Sequence, residues 1–227
     1  MTGILAIWHD RVDAIAATYE RWIVSEHIPE RLAVPGFLEA RRYEAVRGAP
    51  QFFTPYRVAS PGVLASPDYL ARLASPTPLT REVMAGFRNM TRSACTLAFR
   101  SPGAATGGYA VTACALQSAG LDEAALLEEA ATTGRDPRVV GVQVWRAVQG
   151  PGQAKSSETR LRPGGDRGVE AALVVETMRE ADALALEDAA GAAMRRNVRP
   201  DASGKPAPVE SAVYRLLGFW CAREAHS

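Results

Sequence analysis

His27 is the residue of this sequence best placed for acid–base chemistry. It is one of three histidines in the chain, and Glu26 and Glu30 flank it where a predicted helix gives way to a strand. A carboxylate that binds one imidazole nitrogen leaves the other free to accept a proton near neutral pH. We therefore predict that His27 is a general base oriented by Glu26 or Glu30. The alternative is a helix-end histidine that makes only a cap or a structural hydrogen bond.

Glu26 and His9 complete the candidate catalytic set. Glu26 lies near the middle of the apolar stripe of the first predicted helix, so either burial raises its pKa or a cationic partner pairs with it. The candidate partners are Arg31, Arg41 and Arg42. His9 follows Trp8 at the end of the first predicted strand, so the two side chains point to opposite faces and one of them meets the pocket. The alternative for His9 is a strand-end residue in contact with solvent.

Aromatic residues cluster in the first quarter of the chain and predict a site for a small apolar or aromatic ligand. The predicted ligand-binding residues are Trp8, Tyr19, Trp22, Arg42, Tyr43 and Phe53. One of Arg41 and Arg42 enters the interior of the sheet and binds a carboxylate or phenolate, unless it pairs with Glu39 or Glu44. The alternative is that most of these aromatic side chains are simply core.

No spacing signature points to a metal or a cofactor. Metal ligation by His9 and His27 with a carboxylate has no recognised ligand spacing behind it. The glycines of 103–108 lack the lysine of a phosphate-binding loop, and the sequence contains no Gly-x-Ser-x-Gly motif. We predict neither a metal nor a cofactor.

The chain is close to neutral, with 26 basic and 25 acidic residues and a net charge of +1. Such a balance does not attract nucleic acid or anionic membranes, so we predict neither as a partner. No apolar run has membrane-spanning length, and the first residues lack the pattern of a secretory signal. Cys95, Cys114 and Cys221 lie among small or apolar neighbours, which predicts buried thiols in a reducing cytoplasm.

Apolar periodicity and turn residues predict the same order of elements twice. The first half has strands at 3–9, 37–46, 51–58 and 90–99, and helices from 13, at 66–73 and at 80–87. The second half has strands at 109–116, 139–148, 169–177 and 212–221, and helices at 122–133 and 180–196. We expect Pro29 to end or kink the first helix and Pro55 to make its strand edge-like or bulged. Residues 149–168 and 199–210 are predicted surface loops, with a lid role left open.

The order β-α-β-β-α-β is the ferredoxin-like arrangement. A four-stranded sheet with helices on one face leaves its other face bare, so two such units bury those faces against each other. We predict an α+β fold in which two ferredoxin-like β-α-β-β-α-β repeats, residues 1–102 and 103–227, pack sheet to sheet as a pseudo-dimeric α+β barrel. The alternative is two independent domains with a linker near residues 101–107. A homodimer of the whole chain is left open.

A histidine near the end of the first helix is followed here by Pro29 and by Pro35-Gly36-Phe37 leading into a strand. Over residues 5–58 this pattern resembles the EthD-like members of the dimeric α+β barrel superfamily. In single-repeat relatives two chains form the barrel, so the resemblance implies a tandem repeat in one chain. The superfamily includes cofactor-independent monooxygenases, haem-degrading enzymes, muconolactone-type isomerases and dehydratases. Since the second half has no histidine before His226, the resemblance implies a site confined to the first repeat.

Two functions of different classes follow. The first is a cofactor-independent enzyme, of monooxygenase, isomerase or lyase type, in which His27 moves a proton on a small apolar or aromatic substrate. The second is a non-catalytic barrel that binds a small ligand or another protein. A haem-handling variant of the first is weaker, because the resemblance does not settle which histidine would ligate iron.

Overall fold

The computed structural model describes residues 1–116, 120–148, 157–200 and 204–222. Within these ranges the strands are β1 (Gly3–Arg11), β2 (Phe37–Arg47), β3 (Phe52–Val58), β4 (Phe87–Arg100), β5 (Tyr109–Ala115), β6 (Val139–Ala147), β7 (Ala171–Thr177) and β8 (Val209–Cys221). They close into an antiparallel barrel in the order β1-β3-β2-β8-β5-β7-β6-β4. The protein is therefore a mixed α+β fold built on an eight-stranded barrel.

Helices cover the outside of this barrel. They are α1 (Ala16–Trp22), α2 (Ile28–Leu32), α3 (Pro67–Ala74), α4 (Pro78–Ala85), α5 (Glu123–Thr133), α6 (Ser157–Leu161) and α7 (Glu180–Asn197). A π-helical turn, Ile23–His27, joins α1 to α2. Ser66, Thr77 and Asp122 cap α3, α4 and α5 by accepting a hydrogen bond from a backbone N–H in the first turn. The element order follows the prediction, except that α6 was not predicted.

The barrel joins the two halves of the chain along two seams. Strands of the first half are neighbours in the order β4-β1-β3-β2, and those of the second half in the order β8-β5-β7-β6. Strand β2 pairs with β8, and β4 pairs with β6. The links differ between the halves, most in length where β2 reaches β3 through residues 48–51 and β6 reaches β7 through the much longer stretch 148–170.

Successive side chains of each strand point alternately into and out of the barrel, so the protein has one hydrophobic core inside the barrel and two outside it, beneath the helices. In β1, Ile4 and Trp8 point into the barrel, where they join the inner cluster, while Leu5 points outward beneath α1 and α2. On the second half, α7 packs directly on β5 and β8 through buried alanines and Met194. The outer face of the second half is thus filled by close packing of small side chains.

Pro29 does not end the first helix, which continues through α2 to Leu32. Proline lacks the N–H that an α-helix interior needs. The π-helical turn, in which the N–H of Ile28 donates to the carbonyl of Ile23, comes directly before Pro29. The irregular turn therefore accommodates the proline within a helix that runs on.

Pro55 does not lie on an edge strand. Strand β3 is paired with β1 on one side and β2 on the other, and Pro55 lies opposite Ala6 of β1. The edge alternative was wrong because a closed barrel has no edges. The bulge alternative was wrong at this residue too, because the register with β1 is regular through Pro55 and the shift between β2 and β3 lies between Phe37 and Glu39.

Cys221 and the predicted loops also differ from expectation. Cys95 and Cys114 are buried, but Cys221, the last residue of β8, is exposed. Of the two predicted loops, residues 149–156 and 201–203 lie outside the described residues. The described part of the first loop contains α6, whose Glu158 is buried. Among the helices that the structure describes, none is long and apolar enough to cross a membrane.

Candidate functional site

A cavity of about 30 Å³ lies between the outer face of the first half's sheet and the helices that cover it. Strands β1 and β3 supply one wall, the end of α1 and the π-helical turn supply another, and α6 closes one side. The lining residues are Leu5, Ile7, His9, Trp22, Ile23, His27, Arg31, Thr54, Tyr56, Tyr69, Met84, Phe87, Met90, Arg92, Glu158 and Arg162.

The π-helical turn sets the position of His27. A π turn advances each residue through a smaller angle than an α turn, so His27 comes round to the face of the helix that carries Trp22. The two rings lie with their centroids 4.3 Å apart, and His27 is buried. The turn therefore brings the predicted base to the cavity.

His9 reaches the same cavity from β1. Its Nε2 lies 3.1 Å from the hydroxyl oxygen of Tyr19 on α1. The guanidinium of Arg42 lies 5.1 Å above the Tyr19 ring and binds both carboxylate oxygens of Glu20, at 2.7 and 2.6 Å. Tyr19 thus holds the His9 ring from the side away from the cavity, and Arg42 packs in turn on Tyr19, while His9 itself lines the cavity.

Five buried polar atoms around the cavity have no hydrogen-bond partner among the described residues. They are Nδ1 of His9, Nδ1 of His27, Nη1 of Arg31, Oγ1 of Thr54 and the hydroxyl oxygen of Tyr56. Buried polar atoms in proteins are nearly always hydrogen-bonded, because an unpaired one loses its contacts with water. Donors and acceptors concentrated around one small space are the arrangement expected of a site for a polar ligand group.

Both histidines are neutral at physiological pH. Burial, with a further contribution from the charge of Arg42, lowers the pKa of His9 to about 3. Burial and then the charge of Arg31 lower the pKa of His27 well below its usual value. A neutral imidazole can accept a proton, and a negative charge developing on a ligand would favour that transfer.

A buried ion pair closes the cavity. Nη2 of Arg31 on α2 donates to Oε1 of Glu158 on α6 across 2.5 Å. Arg31 and Glu158 are only 2% and 4% exposed. Next to it, Arg162 is paired with Asp166, four residues further along the same segment. The walls of the cavity come from the first half, but its cover comes from the second, so the site is not confined to the first half.

Glu26 is placed away from His27. Its Oε1 accepts hydrogen bonds from the hydroxyls of Thr77, at 2.5 Å, and Thr80, at 2.8 Å. The Thr80 oxygen also accepts from Nε1 of Trp22. Glu26 therefore ties the first helix to the start of α4 and lies outside the cavity lining, and none of the predicted arginine partners binds it.

Three of the predicted aromatic residues lie inside the barrel. Trp8 stacks on Phe53 at 4.9 Å between ring centroids, and Tyr43 stacks on the other side of Phe53 at 5.3 Å. Arg41, which enters the barrel end, binds Glu39 and Glu176 there. Of the predicted site residues, the structure brings His9, Trp22 and His27 to the cavity and Tyr19 behind it. Trp8, Tyr43 and Phe53 lie on the opposite face of the sheet.

The sequence reasoning missed several lining residues. Thr54 lies two residues before Tyr56 on the outward face of β3. Tyr56 belongs to the aromatic cluster in the first quarter of the chain, so strand periodicity could have added Thr54 to it. Arg31 lies one turn after His27 on a helix that Pro29 was expected to interrupt. Glu158 carried no such signal, because it belongs to a stretch predicted as a loop.

The site shows no fit to a metal ion or haem. Within the part of the chain that the structure describes, no three histidine, cysteine or acidic side chains are grouped to hold a metal. A benzene molecule occupies an engineered cavity of about 150 Å³, and the cavity here is about 30 Å³. A haem macrocycle does not fit beside His9 and His27 as these residues stand.

Comparison with solved structures identifies the fold. An anthrone oxidase-like protein superimposes with a TM-score of 0.62 at 14% identity, covering 100% of this chain and 96% of the other. A candidate monooxygenase from Fusobacterium nucleatum has a TM-score of 0.52 at 10% identity and covers 97% and 94%. The fold is that of the dimeric α+β barrels.

Further dimeric α+β barrels agree with this assignment of the fold. The chlorite dismutase of Candidatus Nitrospira defluvii has a TM-score of 0.51 at 11% identity, covering 94% of this chain and 90% of the other. No protein-family model matches the chain, and no curated protein does. At these identities the likeness shows the fold alone.

Proposed function

We propose that the protein is an enzyme that removes a proton from a small ring-containing substrate in the cavity between His9 and His27. The observation that carries this proposal is the set of five unpartnered buried polar atoms around a mostly apolar cavity. Apolar walls suit a ring, and the polar atoms suit an oxygen substituent on that ring. Two neutral imidazoles beside that space supply a proton acceptor.

In the proposed mechanism the residues divide into a base and an anion site. His27 accepts the proton, and the hydroxyls of Thr54 and Tyr56 donate hydrogen bonds to the substrate oxygen on which negative charge develops. Arg31 adds positive charge beside the same space. The charge of the substrate anion offsets the cost of forming a buried imidazolium, which is otherwise high. Proton removal of this kind is common to the monooxygenase, isomerase and lyase types, and it needs no cofactor.

We also propose that the chain is a tandem repeat of the EthD-like kind, with ferredoxin-like units at residues 1–102 and 103–227. The matching strand orders of the two halves support this proposal. In this arrangement the first unit supplies the walls of the cavity and the second unit supplies its cover, so the proposed site is shared between the two. The cytoplasm remains the proposed location.

The test measures proton exchange directly. Anthrone, the ketone named in one structural neighbour, has an acidic ring C–H, so its exchange with D2O can be followed by NMR. We expect the protein to accelerate this exchange, or the exchange of a ring C–H proton of a related phenol. His27→Ala should reduce the acceleration by about 10² to 10⁴-fold, the usual contribution of a general base.

Glu30→Gln is the matched control. Glu30 is close to His27 in sequence, but it binds Arg72 at 3.0 Å and does not line the cavity. It should leave exchange unchanged. If ligands bind, as measured by calorimetry, but no probe exchanges faster with the protein than without it, the protein is a binding barrel and the enzymatic proposal fails.

A further inference from the structure

The cavity is too small for the ring ligand proposed above. Its volume is about 30 Å³, whereas a benzene molecule fills an engineered cavity of about 150 Å³. Binding of any ring therefore requires one wall to move. Strands β1 and β3 belong to the closed barrel and are paired on both sides, so they are the least able to do so.

Helix α6 is the wall best able to move. It is a single five-residue helix that packs on α3 and α4, and it lies outside the barrel. Gly164 and Gly165 follow it with φ of 83° and 72°, and a Cβ at either position would meet nothing within 4 Å. Two glycines in the left-handed region with open space around them can change backbone conformation at low cost.

Movement of α6 has an electrostatic consequence. Glu158 leaves with α6, whereas Arg31 stays on α2, 2% exposed in the closed state. Separating a buried pair leaves an uncompensated charge, which is strongly unfavourable. Arg162 precedes the two glycines and its partner Asp166 follows them, so that pair spans the hinge. Arg162 moves outward with α6 and is not left behind in the cavity as Arg31 is.

We infer that the ligand of this cavity is an anion, a ring-bearing carboxylate or phenolate, whose negative group replaces Glu158 on Arg31 when α6 moves outward. This inference rests on the cavity being the ligand site of the proposed function. In the closed state the Glu158 carboxylate occupies the position that the ligand's own carboxylate or phenolate takes in the open state. A neutral ring of the same shape leaves Arg31 without a counter-ion and binds weakly.

Benzoate and benzamide test the inference, because they share shape and differ in charge. Binding to the full chain is measured by calorimetry at neutral pH. We expect benzoate to bind at least about tenfold more tightly than benzamide, as one uncompensated charge costs at least that much. Equal affinities, or no binding of either, would overturn the inference.

Glu158→Gln gives the second readout. Without the Glu158 carboxylate no ion pair has to be broken before a ligand binds, so the affinities for benzoate and for benzamide should both rise about tenfold or more. The preference for benzoate should remain, because only benzoate brings a counter-ion to Arg31. Glu30→Gln, whose partner Arg72 is half-exposed, should change neither affinity. If Glu158→Gln lowers or does not change benzoate affinity, the anion exchange is wrong; if that variant does not fold, the wild-type comparison decides alone.

The outcome is separable from that of the proton-exchange experiment. A preference for benzoate without any catalysed exchange would support the anion site and leave a binding protein. Catalysed exchange without a preference for benzoate would support the enzyme and remove the role of Glu158.

Discussion

Two neutral histidines at one buried space are the central chemical feature of the protein at the scale of the residue. His9 and His27 come from different elements, a strand and a π-helical turn, and each keeps its Nδ1 without a partner among the described residues. Desolvation holds both pKa values below neutrality. Each histidine is therefore a proton acceptor whose charged form depends on what occupies the cavity.

Acid should destabilise the protein through these histidines. The pKa of His9 falls from 6.5 unfolded to about 3 folded, so between these values the unfolded chain binds a proton that the folded protein does not. The free energy of unfolding then decreases as pH falls below about 6.5, by about 1.4 kcal/mol per pH unit for each such histidine. Urea unfolding between about pH 7 and about pH 5 measures this slope.

His27→Gln isolates one histidine from all other titrating groups. The free energy of unfolding of the variant should depend less steeply on pH than that of the wild type, by about the contribution of one bound proton. Carboxylates such as Glu39 and Glu176 titrate in both proteins, so their contributions cancel when the free energy of unfolding of the variant is subtracted from that of the wild type at each pH. Parallel curves would mean that His27 titrates alike in the folded and unfolded states.

The direction of a side chain could be predicted from the sequence where the local backbone is regular. Strand alternation predicted that Trp8 and His9 face opposite sides, and they do. The prediction failed for Glu26, because a regular helical wheel does not include the π turn that changes the direction of the residues after Ile23. The catalytic roles of His9 and His27 stay predictions.

At the scale of the element, the helices of the first half are held together by side-chain hydrogen bonds at their ends. Thr77 caps α4 by accepting from the N–H of Thr80, and its hydroxyl donates to Glu26. Trp22 donates to Thr80 beside this contact. The wall of the cavity that carries Trp22 is thus fixed through α4.

Thr77→Ala should destabilise the protein by about 1 to 2 kcal/mol, because it removes both the cap and a hydrogen bond to a carboxylate. Thr77→Ser keeps the hydroxyl and is the matched control, with an expected loss below about 0.5 kcal/mol. Chemical unfolding of both variants decides. Equal losses would show that the methyl group matters more than the hydrogen bonds.

The start of a helix could be predicted from the sequence where a capping side chain binds the backbone of the helix's own first turn. Ser66 and Asp122 begin α3 and α5 where their side chains indicate. Helix α6 was not predictable, because its burial comes from α3 and α4, which are distant in sequence, and not from a pattern of its own.

At the scale of the whole molecule, charged side chains connect the two halves across the barrel. Glu176, 1% exposed, accepts from Arg41 of the first half and from the N–H of Gly107. At the surface, Glu44 of β2 binds Arg215 of β8 at 3.3 Å. One pair is buried and the other is exposed, although both cross between halves.

Glu176→Ala should cost about 3 kcal/mol or more, since it leaves Arg41 short of a buried partner. Glu44→Ala should cost less than about 1 kcal/mol, because an exposed pair contributes little. Thermal unfolding of both variants compares them. If the two losses are similar, the ion pair at the barrel end is not the one that holds the halves together.

The general barrel architecture could be inferred from element order, because bare sheet faces must be covered. The closure itself could not be read from any one strand. Pro55 suggested an edge or a bulge, and only the pairing pattern shows that β3 has a neighbour on both sides.

The unequal links between β2 and β3 and between β6 and β7 make the barrel asymmetric. Two identical subunits would carry the same link, and the same cover, on both sides of a barrel. In this chain the two sides are separate stretches of sequence, and the link between β6 and β7 contributes Glu158 and Arg162 to a cavity whose other lining residues belong to the first half. A substitution in that link therefore reaches one cavity alone.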